Sequence, residues 1–243
     1  MANTETALIV GVGASRGLGA ASARRFAREG LHVVVAGRTA EKVERVAEEI
    51  RASGGSAQAV AGDAAKEENA IRFVETAEAE GPLVLVLQNS GSNRRDPFLE
   101  LTTADFEQIW REHCLAGFLT GRESARRMVP RGRGTILFTG ASGSLRGSAY
   151  YAAFAAAKAG LRAVAQSMAR EFGPKGIHVA HSIIDGGISG DRFLSRFPDA
   201  EKERGADSLL SIDAIAEAYW QLHIQDRSAW TLEQDFRPWV EKF

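Results

Sequence analysis

The residues best suited to chemistry gather at a few points of this chain. The first is Gly11-Val12-Gly13-Ala14-Ser15-Arg16-Gly17-Leu18-Gly19, which follows an apolar run and opens a helical pattern. Glycines here let the backbone turn sharply. They also let a pyrophosphate approach a helix N-terminus, where peptide N–H groups and the helix dipole meet its charge. Counted from Gly11, a G-x-G-x-x-G fingerprint needs a glycine where Arg16 stands, so the spacing is G-x-x-x-G-x-G at Gly13, Gly17 and Gly19. The second point is Ala36-Gly37-Arg38-Thr39, the end of a β-branched run. A dinucleotide site selective for NAD carries an acid there to accept a ribose 2′-hydroxyl, whereas a cation suits a 2′-phosphate. Arg38 is that cation, and Arg16 is a second one able to reach the same group through charge-assisted bonds. The cofactor expected on these grounds is NADP(H).

Those residues need a frame. Apolar runs alternate with amphipathic segments along the whole sequence. Strands are predicted at Thr6–Val12, Leu31–Ala36, Ser56–Ala61, Leu83–Gln88, Gly134–Thr139, Ile177–Ile184 and near Trp230–Gln234. Helices are predicted at Gly17–Glu29, Thr39–Ser53, Lys66–Glu80, Thr103–Met128, Tyr151–Phe172 and Ile212–Ile224. Such alternation means an α/β fold, a Rossmann-type doubly wound parallel sheet with helices on both faces. No repeat or linker divides it, so residues 1–243 read as one domain.

Composition narrows the partners. Thirty basic against thirty-one acidic side chains give a net charge of −1, without the basic excess that nucleic acid requires. No apolar run approaches the roughly 20 residues of a spanning helix. The N-terminal residues carry no basic segment of the kind that starts a secretory signal. Cys114 is the one cysteine, which excludes an intrachain disulfide. A cytoplasmic protein with a small-molecule substrate is the expectation, and His178 and His181 lack the companions of a metal site.

The segment Val10-Gly-Val-Gly-Ala-Ser-Arg-Gly-Leu-Gly19 resembles the opening signature of the short-chain dehydrogenase/reductase family. Further matches are Asp63 and Ala64 after the third strand, Asn89-Ser90-Gly91 after the fourth, Lys158 on the later helix and Gly186 with Ile188 after the sixth. The resemblance implies about seven parallel strands, nucleotide binding by these residues, and a homodimer or homotetramer packed through the two long helices. It also implies a Ser, a Tyr, a Lys and an Asn in the active site.

This sequence departs from that set. Four residues before Lys158 stands Phe154, which has no ionisable proton, and where the serine belongs stands Ala141 with Ser142 beside it. The Asn position falls on His113, or on Cys114 with a shift of one residue. Losing a positioned general acid typically removes about 10²–10⁴ in rate. Three groups are candidates to compensate. Tyr151 lies one turn before Phe154, His113 is a proton shuttle by chemistry, and Ser142 is a hydroxyl donor. Phe106, Ile109, Trp110, His113 and Gly117 recur at helical spacing, which predicts that His113 points inward.

The reading is an NADP(H)-dependent oxidoreductase acting on a small carbonyl, imine or activated alkene with an unusual proton donor. The alternatives are a catalytically silent nucleotide-binding sensor and a non-redox enzyme. The polar stretch Ser189–Ser208 is expected to form a substrate flap with Phe193 and Phe197 on one face of a short helix. Arg94 and Arg95 offer charge to an anionic substrate, and the aromatic tail Arg237–Phe243 is expected to dock on a neighbouring subunit.

Overall fold

A computed structural model describes residues 4–242, so Met1–Asn3 and Phe243, which belong to the N-terminal and tail expectations, lie outside it. In chain order it runs β1 (Thr6–Val10), α1 (Leu18–Arg28), β2 (His32–Gly37), α2 (Ala40–Ala52), β3 (Ser56–Ala61), α3 (Glu67–Glu80) and β4 (Leu83–Gln88). Then come α4 (Thr103–Trp110), α5 (Ala116–Met128), β5 (Gly134–Thr139), α6 (Ala152–Phe172) and β6 (Ile177–Ile184). The last elements are β7 (Ile188–Ser189), α7 (Asp191–Leu194), α8 (Ala200–Arg204), β8 (Leu210–Ser211), α9 (Ile212–His223) and β9 (Glu233–Phe236). The main sheet has seven strands in the order β3-β2-β1-β4-β5-β6-β9, all parallel.

Alternation along the strands divides the core between the two faces. Ala7 and Ile9 of β1 pack with Phe26 of α1, Ile50 of α2 and Tyr219 of α9. Leu8 and Val10 pack on the other face with Phe73 of α3, Met128 of α5 and Leu161 of α6. β1 and β4 are neighbours although β2 and β3 lie between them in sequence, so the strand order reverses there. Ligands of open α/β sheets bind outside the strand tips at such a reversal.

Several boundaries differ from those predicted. β1 stops at Val10 rather than Val12, because Gly11 has φ +93° and turns the chain out of the strand. The helix predicted over Thr103–Met128 is interrupted by a π-helical turn at Arg111–Leu115. The predicted stripe splits with it: Ile109 and His113 are buried, while Phe106 and Trp110 are partly exposed. The last strand is Glu233–Phe236 rather than Trp230–Gln234. Trp230 is held by its side chain instead, stacked on His178 at 4.9 Å with its Nε1 donating to Gln225 O. Phe193 lies in α7 and Phe197 beyond it, but their rings still meet at 5.1 Å. Trp239 of the tail donates to Ala206 O, and Pro238 lies against Gly186, so this part of the tail folds onto its own chain.

The tips of β1 and β4 approach closely at Gly11, where a Cβ would lie 2.4 Å from Ser90 N. Substituting Gly11→Ala therefore combines an unfavourable φ with a backbone clash, a cost of roughly 2–5 kcal/mol. The expected result is a lowered urea-denaturation midpoint, and an unchanged midpoint would show that the two strand tips separate freely.

Candidate active site

A cleft of about 600 Å³ opens at the strand reversal. Gly13, Arg38, Asp63, Ala64, Ser90 and Gly91 line it, as the sequence suggested. Lys42, Glu112 and Arg192 line it too, and sequence reasoning missed all three. Lys42 follows Arg38 by one helical turn, and Glu112 precedes His113, so both had a positional signal; Arg192 had only its place in the flap.

The glycine loop suits an anionic group. Gly17 is the N-cap of α1, no side chain caps that end, and its first turn carries no acid. Its orphan N–H groups are therefore left for a ligand. A Cβ on Gly13 would meet nothing within 4 Å, so this glycine keeps the cleft open rather than relieving a protein contact. Gly19 is closed in, since a Cβ there would lie 3.2 Å from Gly11 O and 3.3 Å from Asn89 Nδ2, and Leu18 is buried in the core.

Other expected cofactor residues stand apart from the cleft lining. Ser15 points away, its Oγ donating to Glu49 Oε2 at 2.6 Å beside Arg24, so its hydroxyl serves α2. Arg16 is turned to the flap, with Nε 3.9 Å from Asp191 and its carbonyl accepting from Asp191 N, instead of joining Arg38. Asp63, which does line the cleft, accepts from Ala65 N at 3.0 Å and so closes the turn after β3. Gly186 has φ +153° and meets Pro238, and Ile188 pairs with Leu210 in the small β7–β8 sheet.

The residues expected to be catalytic do come together. Lys158 is buried, and its Nζ donates to Thr139 O at 2.7 Å. Burial, aided by Arg192, pushes its pKa down to about 7. The Phe154 ring centre lies 5.9 Å from that nitrogen and packs over Gly143. His113 meets Phe154 edge-on at 5.3 Å, and Tyr151 does so at 6.2 Å. Tyr151 is the N-cap residue of α6 and half-buried, with the Arg95 guanidinium 5.8 Å from its ring centre. Ala141 N donates to Ser144 Oγ, and Ser142 begins a short 3₁₀ turn facing Phe154 through Gly143.

Burial holds His113 in its neutral form. Its Nε2 donates to Ser92 O at 2.9 Å, which fixes the neutral tautomer, and Nδ1 is buried without a partner among the described residues. Burial first, then the nearby Lys158, pushes its pKa down to about 3. Its hydrogen bond to Ser92 is made as a donor, and Nδ1 stays unprotonated.

Behind the site runs a buried polar chain. Ser144 Oγ donates to His181 Nε2 at 3.3 Å, His181 Nδ1 donates to Glu233 at 3.1 Å, and Arg162 grips both oxygens of Glu233. His181 thus ties the 141–144 turn to β9. At the rim, Arg94 is engaged by Asp96 and Asp105, Arg95 lies over Tyr150 and Tyr151, and Arg146 pairs with buried Asp185. The 189–208 segment packs on the 91–93 loop, with Arg192 donating to Gly91 O and Arg196 to Asn93 O.

Comparison with known proteins agrees with this geometry. The short chain dehydrogenase family model matches residues 5–196. The chain belongs to that family. Among its relatives, L-rhamnose 1-dehydrogenase (NAD(P)(+)) of Azotobacter vinelandii is 31% identical over 86% of this chain and 84% of its own. A crystal structure of a short-chain dehydrogenase from Rhodopseudomonas palustris matches with TM-score 0.83 and 43% identity, covering 98% of this chain and 100% of that one. One of a putative gluconate dehydrogenase from Agrobacterium tumefaciens matches with TM-score 0.83 and 27% identity, covering 96% and 94%. No helix among the described residues is long and apolar enough to cross a membrane.

Neutral, buried His113 carries a consequence for stability. Unfolded, it titrates near 6.5; folded, near 3. Between those values the unfolded chain binds the extra proton, so stability falls as pH drops from about 6.5 toward 3. The variant His113→Asn should lose less stability between pH 7 and pH 5 than the parent in urea titrations, since the other histidines are common to both. Equal losses would contradict the neutral assignment.

Proposed function

We propose that this short-chain oxidoreductase uses NADP(H) and reduces a small carbonyl, imine or activated alkene, or oxidises the corresponding product, with Tyr151 as proton donor. The observation that carries the reading is the uncapped glycine-lined cleft with Arg38 and Lys42 on its rim and no acid at the end of β2. Two cations there favour a 2′-phosphate over a hydroxyl. When bound, the dinucleotide supplies the hydride equivalent.

The protein's own residues would then bind, orient and handle the proton. Gly13, Gly17 and the first turn of α1 would meet the pyrophosphate. Lys158 would hold ribose hydroxyls, a role that needs no tyrosine. Tyr151 is the phenol nearest Phe154 on the substrate side, seven residues before Lys158 and therefore about 10 Å along the helix axis. Ser142 would donate to a substrate oxygen. The flap Ser189–Ser208 would cover the substrate. The relatives named for rhamnose and gluconate favour a polar, multiply hydroxylated compound. Partly exposed Phe106, Trp110 and Phe118 on α4 and α5 support pairing of two copies through these helices.

Two variants test the proposal. Arg38→Asp should weaken NADPH binding in calorimetry at least tenfold more than NADH binding; equal losses would refute the assignment of the phosphate. Tyr151→Phe should lower turnover by about 10²–10⁴ while NADPH affinity stays unchanged. Full retained turnover would remove Tyr151 from the chemistry.

A further inference from the structure

The cleft that should welcome a 2′-phosphate contains an anion of its own. Glu112 sits on the π-helical turn between α4 and α5, with its side chain only 12% exposed. Its Oε1 accepts from Arg38 Nη1 at 2.9 Å and from Gln108 Nε2 at 3.1 Å, and its Oε2 accepts from Ser92 Oγ at 2.6 Å. Two of these donors are neutral groups beside it, so the carboxylate stays in place without Arg38. Burial favours its neutral form, but the hydrogen bonds from Ser92 and Gln108 and the charge of Arg38 outweigh that and keep it ionised. Arg38 is the more exposed partner, with its side chain 60% exposed.

The two possible adenosine riboses meet this arrangement differently. A 2′-phosphate must draw Arg38 away from Glu112 or share it, and must tolerate a fixed negative charge across the cleft. A 2′-hydroxyl meets no repulsion, and a carboxylate is the group that accepts from it. Lys42 and Arg192, on the same cleft, offset part of the repulsion without removing it.

We infer that Glu112 is a specificity-determining residue: by occupying Arg38 it holds down the preference for NADP(H) over NAD(H), so that the protein accepts both. This rests on reading Arg38 as the 2′-phosphate ligand. Calorimetry with NADP⁺ and NAD⁺ on the full chain separates the two claims. Glu112→Gln should tighten NADP⁺ about tenfold and leave NAD⁺ unchanged or weaker. Ser92→Ala, which loosens the carboxylate with less disturbance, should shift the ratio in the same direction. In an Arg38→Ala background the gain from Glu112→Gln should shrink to the part that comes from direct repulsion of the phosphate. Weaker NADP⁺ binding by Glu112→Gln would overturn the inference, because Glu112 would then be positioning Arg38 for the phosphate. Equal changes for both nucleotides would overturn it as well. Unchanged NADP⁺ binding in Arg38→Ala alone would remove the cofactor reading on which it rests.

Discussion

Everything at the site depends on how closely the tips of β1 and β4 approach each other. Gly11 carries no Cβ, and one would lie 2.4–2.5 Å from the backbone of Asn89 and Ser90. That contact turns the chain at the end of β1, starts the glycine loop and aims α1 at the cleft. It also sets the 89–93 loop in position, because Asn89 N donates to Val10 O. From there the order passes to His113, whose ring lies against Gly91 and whose Nε2 donates to Ser92 O. One missing side chain therefore links the glycine loop to the residues around His113.

The second organising feature is the concentration of polar groups behind α6. Lys158 meets Thr139 O, the hydroxyl of Thr139 meets that of Tyr219, and Gln234 reaches Ser182 beside it. Ser144, His181, Glu233 and Arg162 form the neighbouring chain. Buried polar groups are costly unless satisfied, so these chains select one arrangement of the 141–144 turn, β6 and β9. The C-terminal strand thereby becomes part of the active-site support, although β9 contributes no residue to the cleft lining.

Much of this was legible in the sequence. Strand and helix periodicity with glycine punctuation located the sheet and the cleft, and spacing from Lys158 singled out Phe154. Periodicity could not show the π turn at Arg111–Leu115, since one wide turn leaves the surrounding residue types unchanged. Nor could it show side-chain partners. Ser15 reads as a phosphate-loop hydroxyl until Glu49 and Arg24 arrive from other helices. His113 reads as a shuttle until burial and Ser92 O define its tautomer. Glu112 was overlooked because its significance comes from Arg38, seventy-four residues away.

The phenyl ring at position 154 bears on the state of Lys158. A benzyl side chain offers no hydrogen bond, so the ammonium is left with Thr139 O and an aromatic face at 5.9 Å. An isolated buried ammonium lowers its pKa rather than carry the full desolvation cost. A value of about 7 leaves Lys158 divided between charged and neutral forms near neutral pH. A bound nucleotide that offered ribose hydroxyls would give the ammonium acceptors it now lacks and raise its pKa. By linkage, the same nucleotide would bind more tightly as the pH falls through 7, because the charged lysine is the form it stabilises. Proton uptake on nucleotide binding would thus follow from the burial of Lys158 beside Arg192.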